Sequence, residues 1–230
     1  MGCGGSSEQD SLYNIEELYT KFNLQQYGTG DYIEEIEKHI FMAINVLRFE
    51  PKLFVPVVQQ VKDNMQLARK ANHTKDLIET LKSTPMLPPI RFDEQANMAC
   101  RRNNDRVFEL NQEIPERGGN IEIYVQMTGR QQFCEEYTMC QFETKVAARF
   151  VALQLILDWG REGSDAKTSP LLKPIVNKVG IAVIAHRKAV NVIQCLYIKE
   201  DPAPNAHASV VLNGPASVVV VNTGNAYPVL

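Results

Sequence analysis

Apolar residues recur at helical spacing through much of the first half of the chain. Leu12, Ile15, Leu18 and Tyr19 predict a short helix in a leader covering residues 1–30, which Gly28-Thr29-Gly30 closes. Ile33, Ile36, Ile40, Ile44 and Leu47 then share one face of a helix, with Asp31 as N-cap, Glu34 completing a capping-box pattern and Pro51 ending the run. A second helical pattern, around Val57, Val61, Met65, Leu67, Leu77, Ile78 and Leu81, fills residues 52–82. Pro85, Pro88 and Pro89 make a stiff, extended connector, because proline fixes φ and pushes the preceding residue out of the helical region. Asp93 is the expected cap of a helix through Ala96, Ala99, Val107 and Leu110.

The pattern changes after Gly118-Gly119. Asn120-Ile121-Glu122-Ile123-Tyr124-Val125 alternates and predicts a strand. Residues 143–159 return to helical spacing, through Val146, Phe150, Leu153 and Ile156 or Leu157. Lys178–His186 and Asn191–Lys199 are β-rich and separated by a short turn, so they predict a hairpin. After Pro202-Ala203-Pro204-Asn205, two short β-prone runs, Ser209–Leu212 and Ser217–Val221, form a C-terminal extension over 201–230. Helices interleaved with a small, mostly antiparallel sheet predict an α/β fold, a three-layer α-β-α sandwich over residues 31–200.

Composition narrows the function classes. The formal charge of -3 over 230 residues gives no basic field for nucleic acid. Five cysteines, Cys3, Cys100, Cys134, Cys140 and Cys195, fit no zinc spacing, and with no signal-peptide pattern they point to reduced thiols in an intracellular, non-secreted protein. Met1-Gly2-Cys3-Gly4-Gly5-Ser6 matches the N-myristoylation signature at Gly2. One myristoyl chain binds membranes with K of only about 10⁴ M⁻¹, so stable anchoring needs a second element. Residues 7–12 carry no positive charge, which leaves palmitoylation of Cys3 as that element.

Four segments resemble the CAP (cysteine-rich secretory, antigen 5, pathogenesis-related) superfamily, in that family's order. Asn45-Val46-Leu47-Arg48 resembles the end of its H-N-x-x-R helix motif, and Leu87-Pro88-Pro89-Ile90-Arg91-Phe92-Asp93-Glu94 its L-P-P-L-x-W-D-E segment. Gly118-Gly119-Asn120-Ile121 resembles G-E-N-I, and Pro174–Ala182 the segment that opens its terminal hairpin. The resemblance implies the same layered sandwich, with a helical insertion at about 52–84. It also points to the intracellular, myristoylated, Golgi-type members, and so to the cytoplasmic face of a membrane or a cytoskeletal or ciliary assembly.

Family members carry a cleft of two histidines and two acidic residues able to hold a divalent ion. At the corresponding positions this chain has Ile44, Gly119 and Lys167. Isoleucine and glycine offer no lone pair and a protonated lysine repels a cation, so no metal, cofactor or catalytic residue is expected there. Asn45, Arg48 and Asn120 are expected to be structural, with Arg48 bonding backbone carbonyls and the two amides holding loops. These readings converge on a non-catalytic scaffold or interaction module. It would be held on a membrane by acyl chains and engage protein partners through the 52–84 insertion or the 201–230 tail. The alternatives are a lipid- or sterol-binding module and a hydrolase with a relocated site.

Overall fold

A computed structural model describes residues 14–24, 34–58, 71–110, 119–130, 134–143, 152, 166–186 and 190–199. All lie within one of the chain's two units, residues 1–200. Gly2, Cys3, most of the 143–159 segment and the whole 201–230 tail lie outside the described residues.

The first helix, α1 (Ile15–Lys21), begins where the Asn14 side chain accepts from the Glu17 amide at 3.3 Å. It ends because Asn23 takes a left-handed φ of 49°. That turn directs the Leu24 amide to the Tyr19 carbonyl and the Asn23 amide to that of Thr20, with Leu24 buried beneath. Helix α2 (Glu35–Phe49) packs against it. Its N-cap is Glu34, not Asp31, which lies outside the described residues. The start is fixed by Glu37, whose carboxylate accepts from the Glu34 amide at 3.2 Å. Ile40, Ile44 and Leu47 are fully buried, each contributing about 1.5–3 kcal/mol of apolar burial.

A 3₁₀ turn, Pro51–Phe54, follows α2, and α3 (Ala71–Ser83) packs against that turn. The connector 84–90 leads to β1 (Arg91–Phe92), and Asp93 then caps α4 (Glu94–Glu109), accepting from the Ala96 amide at 2.9 Å. The strand expected over 120–125 is instead a helix, α5 (Gly119–Thr128). Asn120 and Tyr124, four residues apart, are its buried pair, which a strand would turn toward the same face as solvent-facing Glu122. Packing against α4 decides the conformation over the β-prone run of isoleucines.

The sheet holds β1, β2 (Cys134–Glu143), β3 (Lys178–His186) and β4 (Val190–Ile198) in the order β1-β3-β4-β2. The expected hairpin is β3–β4, pairing His186 with Val190 and Ile181 with Cys195. β2 runs antiparallel to β4, and β1 parallel to β3. Both faces of the β3–β4 hairpin are buried. Val179, Ile181, Ile193, Cys195 and Tyr197 join Ile40, Ile44 and Leu47 in a large cluster. The alternate residues, Ala182, Leu196 and Ile198, join Ala96, Ala99, Cys100 and Tyr124 in a smaller one. The fold is thus mixed α/β. Among the described residues no helix is long and apolar enough to cross a membrane.

Candidate functional site

Two polar constellations lie inside this apolar frame. The first grows from the C-terminal half of α2. The Asn45 amide nitrogen donates to the Ile90 carbonyl at 3.0 Å, and its oxygen accepts from the Ile90 amide at 2.7 Å. One turn on, Arg48 is completely buried and serves four carbonyls. Its Nε donates to Pro88 at 2.9 Å, Nη1 to Leu171 at 2.7 Å and Lys173 at 3.1 Å, and Nη2 to Val176 at 3.1 Å. Desolvation lowers its pKa to about 10, yet the group stays charged at neutral pH. The pair therefore clamps the connector 84–90 and the loop before β3 onto α2, with Arg48 bonded to backbone carbonyls.

The second constellation is an array of amides between α4 and the hairpin. The Asn97 amide donates to the Ile181 carbonyl and that of Asn104 to Ala182 at 3.2 Å. Gln194, projecting from β4, donates to the Asn104 oxygen at 2.6 Å and accepts from Asn103 at 2.7 Å. On α5, Asn120 donates to the Cys100 sulfur at 3.6 Å. Helix and sheet lie unusually close, because a Cβ on Gly180 would overlap Ala96 and the Asn97 backbone. These interior amides escape a hydropathy pattern, which scores a buried asparagine and an exposed one alike. The available signal was spacing: Asn97, Cys100 and Asn104 fall at i, i+3 and i+7, facing the small residues Gly180 and Ala182.

Around α2 two carboxylates differ in environment. Glu37 is buried, accepting from the Val183 amide at 2.9 Å and from Arg101 Nη2 at 2.8 Å, and desolvation pushes its carboxyl above the usual range. Glu16 on α1 is exposed and faces Lys38 Nζ at 3.1 Å and His39 Nε2 at 3.3 Å, which hold its carboxyl below the usual range.

The positions that the resemblance aligns with an ion-binding cleft lie in different surroundings. Ile44 is sealed in the large cluster, whereas Gly119 abuts Asn103 and Asn120 reaches Cys100 at the smaller one. A Cβ at Gly119 would collide with the Asn103 side-chain oxygen, so a carboxylate there would have to displace an amide already bonded to Gln194. Lys167 is exposed on a 3₁₀ turn, Ala166–Thr168. Of the four histidines, His39 alone has a described side chain. Among the described residues no three His, Cys, Asp or Glu side chains are grouped to hold a metal ion.

No protein-family model matches the chain, and no curated protein does. Among solved structures, an outer surface protein from Borrelia burgdorferi is similar over 59% of this chain and 95% of its own, at 13% identity and a TM-score of 0.36. A likeness that remote carries no argument about function.

Proposed function

We propose that this chain is a non-catalytic protein of the CAP type that acts as a scaffold or interaction module. It is held at the cytoplasmic face of a membrane by acyl chains on Gly2 and Cys3, or built into a larger intracellular assembly. The helices against both faces of the hairpin are read as the α-β-α sandwich of that family, and the Asn45–Arg48 clamp as its N-x-x-R element. One observation carries the non-catalytic reading. The positions where members of that family keep ion ligands hold a core isoleucine, a glycine whose side chain would have to displace Asn103 and an exposed lysine. A metal site needs several converging lone pairs, and these three positions provide none.

Calorimetric titration of the full chain with zinc and with calcium tests this, together with an esterase and peptidase screen in the same ions. No heat of binding and no turnover are expected. A stoichiometric ion, or ion-dependent hydrolysis, overturns the reading. The anchor is tested separately, by membrane fractionation of the wild type and Gly2→Ala. The variant should move to the soluble fraction, since its N-terminal alanine is no longer the unhindered glycine that acylation requires and the first of two anchoring chains is lost. Unchanged partitioning removes the anchor.

A further inference from the structure

The connector between α3 and β1 reads Thr84-Pro85-Met86-Leu87-Pro88-Pro89-Ile90 and belongs to no helix or strand. Three prolines fix their own φ near that of polyproline II, and the residues before them, Thr84, Leu87 and Pro88, are excluded from the helical region. Burial along the segment repeats every three residues. Leu87 and Ile90 are buried, Thr84 half-buried, and Pro85, Met86, Pro88 and Pro89 exposed, with Met86 at 67%. Polyproline II has three residues per turn and so three ridges. One ridge, Thr84-Leu87-Ile90, faces the domain. The other two, Pro85-Pro88 and Met86-Pro89, face outward.

The segment is held to the domain by Leu87 and Ile90 of the inner ridge and by the carbonyl of Pro88 beside it. The Leu87 amide donates to the Arg48 carbonyl at 2.9 Å, Arg48 Nε donates to Pro88, and Asn45 takes both polar groups of Ile90. Among the described residues no donor reaches the carbonyls of Pro85, Met86 or Pro89. A free proline-rich peptide must be ordered on binding, whereas here the fold has already met that entropic cost. Exposed Lys82, three residues before Pro85, adds a positive charge at one end.

We propose that residues 84–89, flanked by Lys82 in the last turn of α3, form a pre-ordered docking ridge for a partner domain whose aromatic-lined, acidic-rimmed groove reads polyproline II. Such grooves bind a left-handed ridge through ring contact with prolines and hydrogen bonds to its outward carbonyls. The proposal stands apart from the family reading and from the acyl anchor, since it needs neither.

The test is a binding screen of the full chain against purified SH3, WW and EVH1 domains, repeated with Met86→Glu, Pro89→Ser and Lys82→Glu. At least one domain should bind the wild type. Its affinity should fall tenfold or more with Met86→Glu and Pro89→Ser, and severalfold with Lys82→Glu. Met86 is mostly exposed, so Met86→Glu should leave the melting temperature unchanged and keep the test valid if Pro89→Ser perturbs folding. Failure of every domain to bind at about 0.1 mM, or binding indifferent to Met86→Glu, overturns the proposal.

Discussion

Replacing Arg48 tests how far this fold depends on a single buried cation. The guanidinium is fully buried and joins four carbonyls in two loops that the sequence separates by more than eighty residues. Hydrogen bonds to a charged group are worth about 1.5–3 kcal/mol each, so four would sum to about 6–12 kcal/mol. Desolvation of the ion offsets several kcal/mol of that, which is why its pKa falls to about 10. Arg48→Met removes the charge together with its donors and leaves four carbonyls facing an apolar chain, for a net loss of about 3–5 kcal/mol. Arg48→Lys is the sharper variant, because it keeps the charge. An ammonium is a point charge with no planar fork and cannot span two loops, so at least about 2 kcal/mol should still be lost. Urea unfolding followed by circular dichroism reads both, as a lower midpoint at unchanged slope. A total stability of about 5–15 kcal/mol makes either shift easy to see. If Arg48→Lys unfolds within about 1 kcal/mol of wild type, the fork geometry is irrelevant and the reasoning fails.

Gly180→Ala should destabilise by about 1–3 kcal/mol through overpacking, since the new methyl group meets the α4 backbone and not a movable side chain. Thermal melting checks it, and an unchanged melting temperature would mean that α4 sits farther from the sheet. Glu37 gives a signed pH dependence. Its folded pKa is raised, so its contribution is fully present below the usual carboxylate value and is lost as pH rises through the shifted one. The stability of wild type minus that of Glu37→Gln should therefore be greatest in acid and shrink toward neutrality, and a difference that grows with pH refutes the burial argument.

Legibility in the sequence followed how local the determining physics was. The Asp93 cap, the apolar face of α2 and the β3–β4 hairpin depend on neighbours a few residues away, and the pattern predicts them. Helix α5 depends on where α4 lies, so the alternation of Ile121, Glu122 and Ile123 misled. β2, at the sheet's edge, carries Glu135, Glu136, Gln141 and Glu143, a polar sequence that suits an edge strand but gives no clean two-residue period. The amides of α4 were unreadable for another reason. A buried asparagine looks like an exposed one until the carbonyl it serves is known.

The same amides bear on where function resides. Asn45, Asn97, Asn104 and Gln194 are buried, and each donates to a backbone carbonyl or to another amide. Freeing one to hold a ligand would leave its present partner unsatisfied in a site sealed from water, at about 1–3 kcal/mol per abandoned group. A binding site built from them would begin with that loss, and loop-closing bonds such as Asn45 to Ile90 would go with it. The exposed ridge Pro85-Met86-Pro88-Pro89 carries no such penalty. The carbonyls of Pro85, Met86 and Pro89 meet no donor among the described residues, and a partner that engages the outer faces breaks none of the bonds to Asn45 and Arg48. The buried polar groups thus hold two loops onto α2 and α4 onto the hairpin, and one of those loops presents the exposed face of the proposed docking ridge.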